Sequence, residues 1–316
     1  MSPSRGSRHQ QLDDAQPSSP SPELPPSTID LHTHTNRSDG VLTPSQLASE
    51  AAAVGVRLLA ITDHDTLAGY RSLTGPGSAP PPAGVQLLSG VEINSITAGL
   101  PDLWEGELHV LGLGVRADDE ALEDRLSTQR KARRLRFDRT LERLRDLGLP
   151  IDAQAAALEH GDEDALGRPT IGRLLMQAGF ADSVEDAFRR LLARGQPAYV
   201  PRMGMGPVEA IGAIRAAGGL ASLAHFAEAP MRVGLLRELK EAGLDALEVY
   251  YRSFDPPTVA AVAEVASELA LVPTGGSDYH GDFGPYAESH ARLWVPPEVE
   301  TKLVERLSNL SASAPS

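Results

Sequence analysis

The stretch Ile29-Asp30-Leu31-His32-Thr33-His34-Thr35-Asn36-Arg37-Ser38-Asp39-Gly40, IDLHTHTNRSDG, ends a short apolar run with histidines at positions i and i+2 and adds an aspartate five residues later. Alternate side chains of an extended strand share a face, so His32 and His34 present two imidazoles side by side, a ready chelate for a metal ion. In a chain with nine histidines a single His-x-His pair is weak evidence. Its weight depends on what stands at the ends of the other apolar runs.

Seven such runs, 29–31, 57–61, 86–88, 108–113, 219–223, 246–250 and 271–274, alternate with Ala- and Leu-rich segments of helical period. That alternation predicts an α/β fold of parallel strands joined by helices. The first run leads into His32 and His34, the second into Asp63-His64-Asp65, and the third into Glu92. The fourth contains His109, the fifth ends at His225, and the seventh leads into Asp278 and His280, again at i and i+2. In a parallel barrel the carboxyl ends of the strands converge on one mouth, so residues distant in sequence meet there. Taken singly, His109 reads as a core histidine and Glu92 as a solvated carboxylate. Six of the nine histidines at strand ends argue for a shared metal site instead.

Composition narrows the chemistry. There is no cysteine, which excludes a disulfide framework, a thiolate zinc site and a thiol nucleophile, and suits a cytoplasmic protein. Any metal must be held by His and carboxylate. A net charge of -14 argues against stable, charge-driven binding to DNA or to anionic membranes. No apolar run approaches the length of about 18 residues that a membrane span requires.

Along the chain, residues 1–27 hold seven Ser and six Pro and read as a disordered tail. A helix over 44–54 follows Thr43 as N-cap, with Pro44 at its first position and Gly55 closing it. Residues 74–84, TGPGSAPPPAG, read as a loop. A long charged helix spans 118–147, and shorter helices are expected near 152–158, 170–178, 182–194 and 206–217. This places an all-helical insertion at 118–203 between two halves of a barrel, 28–117 and 204–300, with a helix end and tail at 301–316.

The segments DLHTHTNRSDG, ITDHDT, GVEI, LHVLG, LAH and GSDYH resemble, in order, the motifs of the PHP (polymerase and histidinol phosphatase) superfamily over residues 28–296. The resemblance implies a distorted seven-stranded (β/α)7 barrel. It also implies a trinuclear centre. His32, His34 and Asp278 would hold one ion, Glu92 would bridge to a second held by His109 and His225, and Asp39, His64 and His280 would hold the third. Manganese is the metal the resemblance favours; imidazole and carboxylate also suit Zn²⁺ and Fe²⁺. The insertion, with GRPTIGRLLMQAGF and VEDAFRRLLARGQPAYVPR, resembles the TrpH/YciV-type subgroup, whose members act on nucleoside 3',5'-bisphosphates or 5'-phosphorylated short RNA. Two positions depart from that subgroup: Thr170 stands where it usually has His, and Phe226 follows His225 where it usually has Pro.

The implied reaction is hydrolysis of a phosphate ester by a metal-activated hydroxide, since clustered divalent ions lower the pKa of bound water toward about 7. Arg168 is the first candidate for gripping a substrate phosphate and Arg202 the second; each has the alternative of an ordinary surface arginine. Asp65 is a candidate to protonate the leaving group or orient a water, with capping of a helix at 66–70 as its alternative. The segment RKARRLRFDRTLERLR is basic in an acidic chain and reads either as a guide for RNA or as a solvated helix. A histidinol-phosphate-type phosphatase and a non-catalytic regulatory barrel are the competing assignments. The oligomeric state is not legible.

Overall fold

Seven strands form one sheet whose spatial order follows the sequence. They are β1 (Ile29–Asp30), β2 (Leu58–Ile61), β3 (Gln86–Ile96), β4 (Glu107–Leu113), β5 (Leu220–Leu223), β6 (Ala246–Tyr251) and β7 (Val272–Gly276). Leu31 N donates to Gly275 O and Thr33 pairs with Tyr279, so the last strand meets the first and the sheet nearly closes into a barrel. The computed structural model describes residues 27–78, 80–97, 107–158, 166–281 and 284–312, with side chains to residue 307. All but the last residue of the expected tail at 1–27, and residues 313–316, lie outside the described residues.

The parallel expectation fails at one strand. β4 is antiparallel to both β3 and β5. Only ten residues separate Ile96 at the end of β3 from Glu107 at the start of β4, fewer than the dozen or more that a parallel crossover needs, so the pair is antiparallel. The reversal places the amino end of β4, with Glu107 and His109, at the mouth where the other strands end. β3 is also far longer than the predicted 86–88; its residues from Gly90 to Ile96 pair with β4.

Outside the sheet lie α1 (Pro44–Ala53), α2 (Ala68–Thr74), α7 (Pro207–Ala216), α8 (Val233–Glu241), α9 (Pro256–Glu268), α10 (Tyr286–His290) and α11 (Pro297–Ala312). α1 starts as its sequence suggests: the Thr43 side chain accepts from Gln46 N, the Gln46 side chain accepts from Thr43 N, and Gly55 follows with φ of 88°. α7, α8 and α9 bury Ile211, Ile214, Leu236, Leu239, Val262 and Val265 against Val91, Val110, Leu223 and Leu247 of the sheet. Ile29, Leu58, Leu111, Leu113 and Leu220 pack with Val295, Val299 and Leu303 toward the end of the barrel opposite the histidines.

Between β4 and β5 stand α3 (Glu120–Asp146), α4 (Asp152–Ala156), α5 (Arg168–Gln177) and α6 (Val184–Ala187), the last running into a π-helical turn, Phe188–Leu192. They share an apolar cluster of their own, including Phe137, Leu144, Ile171, Leu174, Leu191 and Leu192. α3 is not a purely solvated helix: Gln129, Arg133, Arg136 and Thr140 are buried, while Arg134 and Asp138 pair at the surface. No described helix is long and apolar enough to cross a membrane.

Candidate metal centre

The loop after β1 is folded by a carboxylate that the sequence reading passed over. Asp63 accepts from Thr35 N and Thr35 Oγ1, both at 2.7 Å, and from Ser38 Oγ at 2.8 Å. Those bonds and the Gly40 N to Thr35 O bond curl the loop so that Asp39 returns toward His34. Gly40 is required by proximity: a Cβ there would lie 2.5 Å from His34 O. At the barrel seam a Cβ on Gly276 would lie 2.4 Å from His32 Cβ, and Asp278 N donates to His32 O at 2.7 Å. Asp65, His225 and Asp278 all hold left-handed backbone, with φ of 54°, 34° and 48°. Strain of this kind persists where surrounding structure over-determines a functional position.

Nine side chains predicted as ligands meet at the mouth in three overlapping groups: His34, Asp39, His64 and His280; His32, His34, Glu92 and Asp278; and Glu92, His109 and His225. Within each group the candidate ligand atoms lie within 4.8 Å of one another. His32 Nε2 and His34 Nε2 are 3.1 Å apart, and both face Glu92 Oε2, at 3.3 and 3.1 Å, and Asp278 Oδ1, at 3.3 and 3.2 Å. The other Glu92 oxygen lies 2.8 Å from His109 Nδ1 and 3.3 Å from His225 Nε2. Asp39 stands 3.6 Å from His64 Nε2 and 3.2 Å from His280 Nε2. His34 thus belongs to two groups, where the sequence motifs suggested one.

These residues fit divalent metal ions. His34 Nδ1, both Asp39 oxygens, His64 Nδ1 and Glu92 Oε2 are buried without a hydrogen-bond partner. Such groups cost about 1–3 kcal/mol each when left unsatisfied, so a cation among them removes a real penalty. The charge pattern agrees. Burial would raise the carboxyls of Asp39, Glu92 and Asp278, but His64 beside the first two and His32 beside the third hold all three well below the usual carboxylate range. Burial would likewise lower the imidazoles, yet Glu92 lifts His109 to about 9, and Asp39 and Asp278 lift His280 to about 10. At His64 burial wins, and its pKa falls to about 4.

Glu248 is a second residue that the sequence reading missed. Fully buried on β6, its carboxylate lies 3.1 and 3.3 Å from His32 Nδ1 and accepts from His225 N at 2.7 Å. A carboxylate holding one ring nitrogen of a histidine orients the other toward a metal. The available signal was a charged residue between Leu247 and Val249 in an otherwise apolar strand.

The remaining candidates lie beside the metal groups. Asp65 does not cap a helix: α2 begins at Ala68 without a side-chain cap, and Asp65 is buried with Arg133 bonded to its Oδ2 at 2.6 and 3.1 Å. Arg168 and Arg202 are not surface arginines. Both reach Glu107, Arg168 Nη2 at 3.4 Å and Arg202 Nε at 2.6 Å, and Arg136 Nη2 approaches the same carboxylate at 3.8 Å. The Arg168 guanidinium also lies 5.4 Å from the Phe188 ring centre. Burial would raise Glu107, but Arg202 and its neighbours hold it well below the carboxylate range. Burial, with Arg202 and Arg168 close by, pulls Arg136 down to about 9. Among the described residues, Arg133, Arg136, Arg168 and Arg202 thus gather around the carboxylates of Asp65 and Glu107, a basic cluster beside the metal groups. Thr170, in the first turn of α5 beside Arg168, is buried.

Comparison with known proteins agrees with this geometry. The family model described as PHP domain matches residues 30–133. The 5'-3' exoribonuclease Rnm of Salmonella typhimurium is 34% identical over 276 residues, covering 86% of this chain and 91% of that protein. The 3',5'-nucleoside bisphosphate phosphatase of Chromobacterium violaceum is 32% identical over 263 residues, covering 80% and 87%. A crystal structure from Bifidobacterium adolescentis, assigned as a metal-dependent phosphoesterase, superposes with a TM-score of 0.76 at 30% identity, covering 90% of this chain and 98% of that one.

Proposed function

This chain belongs to the PHP family of metal-dependent phosphoesterases, and we propose that it hydrolyses nucleotides carrying more than one phosphate group, either nucleoside 3',5'-bisphosphates or the 5'-phosphorylated end of a short RNA. The observation that carries this reading is the adjacency of two anion-seeking regions on β4. His109 belongs to the metal groups, and Glu107, two residues earlier on the same strand face, anchors the buried arginines. A single phosphate needs one such region; a substrate with two uses both.

In this reading His34, Asp39, His64 and His280 hold one divalent ion, His32, His34, Glu92 and Asp278 a second, and Glu92, His109 and His225 a third. Manganese is the metal we favour, in a cytoplasmic setting that suits a chain without cysteine. When bound, the ions supply an acidified water and positive charge for the reacting phosphate oxygens. The protein's own contribution is placement. Glu248 fixes the ring of His32, and Asp63 holds the loop that carries Asp39. Arg168 and Arg202 bind the phosphate that is not cleaved. Asp65, committed to Arg133, positions that arginine rather than donating a proton to the leaving group.

The direct test supplies the metal-loaded protein with adenosine 3',5'-bisphosphate and histidinol phosphate, reading phosphate release, and with short 5'-phosphorylated RNA, reading release of nucleoside 5'-monophosphate. Turnover is expected for the bisphosphate and the RNA. Preference for histidinol phosphate would overturn the substrate assignment, and turnover of none would favour a regulatory barrel.

Arg168→Ala should lower kcat/KM by a factor corresponding to about 1.5–3 kcal/mol, the range for hydrogen bonds to charged groups, with bound metal unchanged. Arg168→Lys should recover only part, because an ammonium lacks the planar fork. If Arg168 merely braces the insertion through Glu107 and Phe188, the alanine variant will lose melting temperature with unaltered kinetics.

A further inference from the structure

A pocket of about 700 Å³ opens beside the metal groups, its lining including Glu107, His109 and His225 together with Phe226, Tyr251 and Phe254. Its volume falls in the range of about 300–1,000 Å³ that small-molecule sites occupy. Aromatic residues make up only 4% of the chain, yet three of them line this one pocket. Phe226 directly follows His225, whose left-handed backbone marks an abrupt turn in the chain, and is itself 8% exposed. The Tyr251 hydroxyl donates to Asp278 Oδ2 at 3.1 Å, so the pocket and the metal groups share a wall.

We propose that this pocket holds the nucleobase next to the scissile phosphate and that Phe226 and Phe254 retain it by stacking, with little selection among the bases. The inference rests on the nucleotide reading above. The polar rim supports the second half of it. Asp255 caps α9 by accepting from Thr258 N at 2.9 Å, and Glu228 is engaged by Arg232 Nε at 3.1 Å. The carboxylates best suited to reading the edge of a base are thus committed elsewhere, whereas every base offers a face to an aromatic ring. A pocket so built distinguishes a nucleotide from a bare sugar phosphate without distinguishing adenine from uracil.

The test compares adenosine 3',5'-bisphosphate and uridine 3',5'-bisphosphate with an abasic analogue in which hydrogen replaces the base. Wild-type protein is expected to process the two nucleotides with similar kcat/KM and the abasic compound far more slowly. Phe254→Ala should lower kcat/KM for both nucleotides by about 5- to 100-fold, the range for losing one base–aromatic stack, and change the abasic rate less than about twofold. Phe254→Leu and Phe226→Leu, which keep apolar bulk without the ring, make the same comparison if the alanine variant folds poorly; thermal melting monitors each. Equal losses on nucleotide and abasic substrates, or no loss on either, would overturn the proposal. Equal wild-type rates on nucleotide and abasic substrates would overturn it while leaving the phosphoesterase reading intact. Hydrolysis of none of the three by wild-type protein would remove both.

Discussion

His34→Ala should abolish phosphate release, by more than the roughly 10–100-fold that loss of a residue merely orienting a ligand produces. Among the described residues His34 is the one imidazole common to two of the three groups, and its Nε2 lies 3.1 Å from Glu92 and 3.2 Å from Asp278. Removing it should weaken both groups at once, so elemental analysis should find the variant short of metal. Asp278→Ala removes a member of one group and should lose less metal while also losing turnover. The fold should survive in both, because these residues sit at the mouth and not in the apolar clusters that hold the barrel together. A His34→Ala protein with full metal content and wild-type rate would remove the ligand assignment.

Arg133→Met should destabilise the protein by about 3–5 kcal/mol, measured by urea unfolding of the metal-free form. The Arg133–Asp65 pair is buried on both sides, with 6% and 2% of the side chains exposed, and closes at 2.6 Å. Removing one member strands a carboxylate away from water. Asp65 could recruit Arg130, but that side chain already donates to the Asp65 backbone oxygen and to Glu123. The double replacement Asp65→Asn with Arg133→Met should recover part of the loss, since it removes the stranded charge while asparagine tolerates the left-handed backbone at this position. A single variant within about 1 kcal/mol of wild type would mean that the pair behaves as an exposed one, and α3 would then be held to the barrel by other contacts.

His32, His34, Asp39, His64, Glu92, His109, His225, Asp278 and His280 were legible as a set because the signal is local. Each stands at or near a short apolar run, and the i, i+2 pairs declare a shared face without any knowledge of the fold. The first helix was legible for a similar reason: Thr43, Pro44 and Gly55 mark it through chemistry confined to one or two turns.

Local sequence therefore sufficed to mark the chelating side chains, though not their place on the strands: Glu92 lies within β3 and His109 within β4, not at their carboxyl ends. The direction of β4 emerges only in the fold, since strand pairing is settled by partners distant in sequence and by a connection of ten residues, too short for a parallel crossover. The tertiary structure also decided the roles of the buried charges. Asp63, Glu248 and Glu107 look like ordinary carboxylates until Thr35, His32 and Arg202 are brought against them, and Arg133 looks like one more cation on a solvated helix until Asp65 is found beneath it. A buried charge takes its meaning from its partner, and these partners come from other elements of the fold.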